Sequence, residues 1–183
     1  MRITGGECRG RVLSFPSRSP QRPTTDFLRS ALFNLIGKPA PEEILDLYAG
    51  SGSVGLEALS RGAKRAVFVE KNKELAGIIR KNAGICGYMD RSLIMEADVQ
   101  AALDDLYELG QKFTFVFADP PYNQGFVAET IKSLKNSSVC RDDGIVVLQH
   151  SVREPLPPPE GWELANQRKY SDHFLSFLRM DNA

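Results

Sequence analysis

The sequence predicts an α/β fold, a doubly wound and mostly parallel seven-stranded sheet. A C-terminal antiparallel hairpin completes it, and a small N-terminal β-hairpin and helix extend it. Three observations predict this. Short, almost wholly apolar runs alternate with stretches of helical periodicity, as in βαβ units whose strands are buried on both faces. A glycine-rich turn, Gly50-Ser51-Gly52-Ser53-Val54-Gly55, stands between the first such run and the helix after it. The last two strand-like runs have no helix between them. Together these describe a Rossmann-like architecture with right-handed crossovers.

Each element has its own signal. Arg2-Ile3-Thr4 and Arg11-Val12-Leu13 flank Gly5, Gly6 and Gly10, which supply the turn of a hairpin. Residues 14–23, rich in Ser, Pro and Arg, read as an extended loop. Thr24 or Thr25 caps a helix running to about Ile36, with Phe27, Ala31, Leu32, Leu35 and Ile36 at helical spacing. Gly37 and Pro39 stop it. Strands are expected at residues 44–48, 66–70, 93–95, 113–118 and 144–148. Helices are expected from about Ser53 to Arg61, Asn72 to Ala83, Val99 to Leu109 and Phe126 to Leu134. Pro155, Pro157, Pro158 and Pro159 make a stiff connector, a loop in preference to a recognition ligand. Trp162 to Lys169 and Phe174 to Met180 form the closing hairpin.

Composition narrows the class. A chain of 183 residues is one domain's worth and buries enough surface to need no disulfide or metal staple. A hydrophobic fraction of 42% and a charged fraction of 25% exclude wholesale disorder, collagen and coiled coil. No run approaches the ~18 apolar residues of a membrane span. The N-terminus has no apolar signal region. Cys8, Cys86 and Cys140 are odd in number and far apart, as reduced cytosolic thiols are. A cytoplasmic protein without metal or membrane contact is expected. Nothing reports the oligomeric state; a monomer is the expectation.

The formal net charge is zero but unevenly spread. Residues 1–38 hold seven basic and two acidic side chains, a net of +5, while residues 39–183 carry −5. That asymmetry fits a basic arm for a polyanion beside an acidic body, or a solvated basic surface.

The glycine turn follows a strand and opens a helix, where backbone N–H groups can face a nucleotide-like ligand. Asp46 lies four residues before Gly50 and would repel a pyrophosphate, so it suits a ligand carrying an ammonium and a sulfonium. Glu70 ends the second strand, where an acid grips ribose hydroxyls. Asp98 follows the third strand and can accept from an adenine amine, or cap the next helix. Asp119 ends the fourth. Each of four successive strands thus has an acid at its C-terminal edge, where open α/β sheets bind ligands.

Asp119-Pro120-Pro121-Tyr122 is the most specific motif. Its prolines stiffen the turn and remove two N–H donors. The Asp119 carboxylate and the Pro120 carbonyl can accept both hydrogens of one exocyclic amine, and Tyr122 offers a face to a planar base. The amine's lone pair, otherwise delocalised into the ring, is then aimed at a methyl on sulfur.

With these motifs assembled, the chain resembles class I S-adenosylmethionine-dependent methyltransferases. More narrowly, it is similar to the RsmD-type family that methylates N2 of a guanine in small-subunit (16S) ribosomal RNA. Arg2 to Gly6, Arg9-Gly10-Arg11, Arg22 to Asp26, Leu32-Phe33-Asn34, Asp46 to Gly52 and Asp119 to Tyr122 carry the resemblance. It implies S-adenosyl-L-methionine held by Asp46, Tyr48, Gly50, Gly52, Glu70 and Asp98, with catalysis at Asp119, Pro120 and Tyr122. It implies ribosomal RNA or an assembling small subunit as partner, docked by Arg9, Arg11 and Arg22 of an extension spanning residues 1–38, with the methyltransferase domain at 39–183. Arg29 is expected to face the cofactor carboxylate. Ser30 and Gln149 depart from the family's usual acids, and neither is needed for methyl transfer on this reading. An adenine-N6 methyltransferase acting on DNA or RNA, and a non-catalytic RNA-binding module, are the alternatives.

Overall fold

Five parallel strands and two antiparallel ones form a single sheet in the order β3-β2-β1-β4-β5-β7-β6. The computed structural model describes residues 1–16, 25–37, 40–154, 156–157 and 159–181. Within them α1 spans Asp26–Ile36, β1 Glu43–Leu47, α2 Ser53–Ser60, β2 Arg65–Val69 and α3 Lys73–Cys86. Then come β3 Ser92–Met95, α4 Val99–Glu108, β4 Phe113–Ala118, α5 Phe126–Ser137, β5 Cys140–Ser151, β6 Trp162–Tyr170 and β7 His173–Met180. A short 3₁₀ turn at Met89–Arg91, without a sequence signal of its own, leads into β3.

The apolar runs are strands for the reason expected: β1, β2 and β4 are buried nearly throughout. One face of the sheet packs against α1, α2, α3 and the N-terminal segment; the other packs against α4 and α5. Strand β7 inserts between β5 and β6, so the closing hairpin completes the sheet with β6 at its edge.

Three expectations change. The buried face of α1 is Leu28, Arg29, Leu32 and Phe33, while Phe27 is 71% exposed and Leu35 37%. The helix turns this way because the fully buried Arg29 joins Glu57, a partner far along the chain. Second, β5 begins at Cys140 and α5 continues to Ser137, both beyond the expected limits. Third, the N-terminal pairing is a single bridge, Arg2 to Val12, flanked by backbone bonds between Ile3 and Arg11 and between Leu13 and Met1. Thr25 caps α1, its hydroxyl accepting from the Leu28 N–H, and Gly37 ends the helix with φ 80°. Pro39 and most of the expected loop lie outside the described residues.

The N-terminal segment is tied to α2. The buried Glu57 carboxylate accepts from the Thr4 N–H at 2.8 Å, the Thr4 hydroxyl at 2.7 Å, Arg29 Nε at 3.2 Å and Arg61 Nε at 2.8 Å. Arg29 also donates to the Arg2 carbonyl and pairs with Asp26. A buried charge is tolerated when its bonding capacity is met in this way. Ile3 and Leu13 join the core that holds α1 and α2.

Candidate active site

The carboxyl ends of β1, β2, β3 and β4 open onto one cavity of about 690 Å³. Asp46, Glu70, Asp98 and Asp119 all line it, as do Tyr48, Gly50, Pro120 and Tyr122. The strand topology therefore brings together the four acids that the sequence places one per strand.

The glycine turn is held from two sides. The Gly50 N–H donates to Glu70 Oε2 at 2.8 Å, and the Asn72 N–H donates to the other Glu70 oxygen at 2.9 Å. Asn82 in α3 is fully buried; its amide donates to the Ser51 and Ser14 carbonyls, each at 3.0 Å, and accepts from the Ser14 N–H. Asn82 escapes the sequence reading, although a polar residue among the apolar positions of α3 is its visible signal. Gly52 begins α2 with φ 76°, a left-handed conformation in which a side chain is strained. At Gly55 space is the constraint, since a Cβ would stand 2.3 Å from Phe68 Cε1.

Tyr48 adopts φ 57°, an uncommon conformation for a bulky residue. Its hydroxyl pairs with Thr130 Oγ1 at 2.9 Å, anchoring the residue to α5, and burial raises its phenol above the ordinary value. Asp46 is buried and accepts from the Gly55 N–H at 2.9 Å. Burial pushes its carboxyl up to about 8; the Gly55 N–H opposes this, and Asp119 and Glu70 add to it. A cation in the cavity would relieve that strain. Asp98 caps α4, accepting from the Gln100 N–H, and it also lines the cavity.

At the other end of the cavity three side chains close a triangle. Tyr122 donates its hydroxyl hydrogen to Asp119 Oδ1 at 2.8 Å. Gln149 Nε2 donates to Asp119 Oδ2 at 2.9 Å and to the Tyr122 hydroxyl at 2.7 Å. Burial, then the neighbouring Asp119 charge, raises the Tyr122 phenol well above its ordinary range, so it stays a donor. Gln149 is buried, and its Oε1 has no hydrogen-bond partner among the described residues. The sequence reading sets Gln149 aside; the structure puts it against both motif side chains. The neighbouring His150 is structural. Its Nδ1 reaches the Glu154 carbonyl, which can only accept, so Nδ1 carries the proton and Nε2 accepts from Ser176.

The expected RNA-binding arginines are elsewhere. Arg9 and Arg11 are exposed at the tip of the N-terminal segment, which Ser60 grips at the far end of α2. With 8 residues, α2 is ~12 Å long, and the tip is tied to the end away from the glycine turn. Arg22 lies outside the described residues. Arg29 is committed to Glu57, Asp26 and the Arg2 carbonyl, which corrects its expected place beside the cofactor. Among the described residues no group of three or more His, Cys, Asp or Glu could hold a metal ion, and no helix is long and apolar enough to cross a membrane.

Such an arrangement can take a cationic, nucleoside-like ligand along the acids and present a planar amine to Asp119. Comparisons with known proteins identify the family. Residues 1–179 match the family model described as conserved hypothetical protein 95. The chain is 33% identical over 170 residues to ribosomal RNA small subunit methyltransferase D of Escherichia coli K12, covering 92% of this chain and 84% of that protein. It is likewise 33% identical over 173 residues to the same-named protein of Haemophilus influenzae, covering 92% and 88%. A hypothetical protein of Thermus thermophilus superimposes with a TM-score of 0.86 at 33% identity, covering 98% of this chain and 99% of that one.

Proposed function

This chain belongs to the conserved hypothetical protein 95 family, the RsmD-type methyltransferases, and on that premise we propose that it methylates the exocyclic N2 amine of a guanine in small-subunit ribosomal RNA. S-adenosylmethionine supplies the methyl group, carried on a sulfonium. Asp46, Tyr48, Gly50, Glu70 and Asp98, which line the cavity, would hold it; Gly52, which faces Ile79 and Phe68 instead, would shape the turn. Glu70 and Asp98 retain accepting capacity beyond the bonds they make, since a carboxylate has about four lone-pair sites.

The observation that carries the reading is the Asp119–Tyr122–Gln149 triangle beside the acid-lined cavity. An entering amine takes up Asp119 lone pairs and the Pro120 carbonyl. With both hydrogens held by acceptors, electron density shifts onto nitrogen and its lone pair leaves conjugation with the ring, so the amine becomes a better nucleophile. Hydrogen bonds to a charged group contribute ~1.5–3 kcal/mol each, and fixed orientation removes much of the entropic barrier. No dedicated base is required, because the amine becomes acidic once methylated and Asp119 can pass its proton to water. A guanine N2 is hidden in a paired helix, so the target base is unpaired or extruded, with Tyr122 against its face.

Undermethylated small-subunit RNA, free and in subunits, tests this when incubated with the protein and methyl-labelled S-adenosylmethionine and then digested to nucleosides. Label in N2-methylguanosine is expected. Label in N6-methyladenosine, or none on RNA, overturns the proposal.

A further inference from the structure

Phe27 is a large aromatic left 71% exposed on the first turn of α1. Its ring meets Tyr170, at the end of β6, edge to face with centroids 6.0 Å apart and planes at 74°. Neither ring lines the cavity, but residues beside both of them do. Thr25 and Leu28, on either side of Phe27, line it; so does His173, the register partner of Tyr170. The geometry points to a stacking platform for an unpaired RNA base next to the target nucleotide, an inference resting on the RNA reading above.

Charge around the pair supports a nucleic acid. Arg168 is exposed two residues before Tyr170 on β6, hence on the same side of the strand. Lys169, between them, is on the opposite side, while Arg153 is exposed and lines the cavity. Of the acids nearby, Asp26 is paired with Arg29 at 2.9 Å and Glu154 accepts from the Asn123 and Gly125 N–H groups, which leaves Asp172 in the β6–β7 turn against two cations. Aromatic faces beside phosphate-binding cations are how proteins hold single strands without reading their sequence. A target base entering the pocket leaves its neighbour unstacked, and an exposed aromatic at the rim restores that stacking. A tightly packed ring inside the core could not do this, which gives the outward turn of Phe27 a use.

The test is steady-state methylation of unmethylated small-subunit ribosomal RNA by the full-length protein and its Phe27 variants. F27A is expected to raise KM for RNA about tenfold, as loss of one stacked base implies, with kcat and cofactor affinity within about twofold. F27L should behave as F27A does, because it is apolar without a π face, and F27W should restore KM. F27W should also be quenched by single-stranded RNA against the background of Trp162, the one native tryptophan, which is buried. Wild-type KM in F27A or F27L, or an unquenched F27W, overturns the platform. Failure of the unaltered protein to label RNA overturns the functional reading, and this inference with it.

Discussion

Asp46 and Gly55 are joined inside the protein, the Gly55 N–H donating to Asp46 Oδ2 at 2.9 Å. The bond fixes the start of α2 on the end of β1, and it leaves a carboxyl in a buried site with two acids nearby. Burial raises its pKa from the ordinary 3.8 to about 8. Between those values the folded chain holds a proton that the unfolded chain has lost. Asp46 therefore makes stability fall as pH rises from about 4, levelling above about 8. Denaturant titrations across that range should show the slope in the wild type and a weaker one in D46N. Binding of the cationic cofactor near pH ~7 should release up to about one proton per ligand, because it favours the ionised carboxyl. Calorimetry in buffers of different ionisation enthalpy reads this, and D46N should release none.

The third glycine of the turn serves packing. A Cβ on Gly55 would meet Phe68 Cε1 at 2.3 Å and Cζ at 2.8 Å. Gly55→Ala should lower stability by ~1–3 kcal/mol, the usual cost of overpacking. Adding F68L should recover part of that in chemical denaturation. Wild-type stability in the single variant would show that the helix–strand contact yields freely.

Tyr122 is more than a face for a base. Its hydroxyl donates to Asp119 and accepts from Gln149, so Tyr122→Phe removes two contacts of the triangle. Single-turnover methylation should slow by about tenfold in Y122F, the effect of one hydrogen bond to a charged group. Y122A should be slower still, having also lost the stacking surface. Q149L should fall near Y122F. Equal rates in all three variants and the wild type would leave the triangle without a role in the reaction.

The alternation of apolar runs with helical periods was legible because strands buried on both faces cannot hide their composition. The four acids were legible too, each at the end of a strand. What escaped was long-range pairing. Arg29 reads as a cation for the cofactor carboxylate until Glu57, 28 positions along, is folded against it. With Arg29 buried beside Leu28, Leu32 and Phe33, Phe27 is turned outward. Gln149 and Asn82 escaped likewise, since a lone amide in a sequence does not disclose its partners.

Arg9 and Arg11 offer an electrostatic test. If each contacts one phosphate of single-stranded RNA, the double change to alanine should flatten the slope of log affinity against log salt by about 1.4. Cofactor affinity should be unchanged, because both lie at the far end of α2 from the glycine turn. An unaltered slope with undiminished RNA affinity would make this tip a solvated surface.

The central claim is that Asp119 accepts the hydrogens of the target amine and thereby makes it a nucleophile. Single-turnover methylation of unmethylated small-subunit RNA by Asp119→Ala, with S-adenosylmethionine affinity measured in parallel, tests this most directly. Most of the rate should be lost, by about a hundredfold if the carboxylate contributes ~3 kcal/mol, while cofactor affinity stays within a few-fold. A wild-type rate in that variant would contradict the claim.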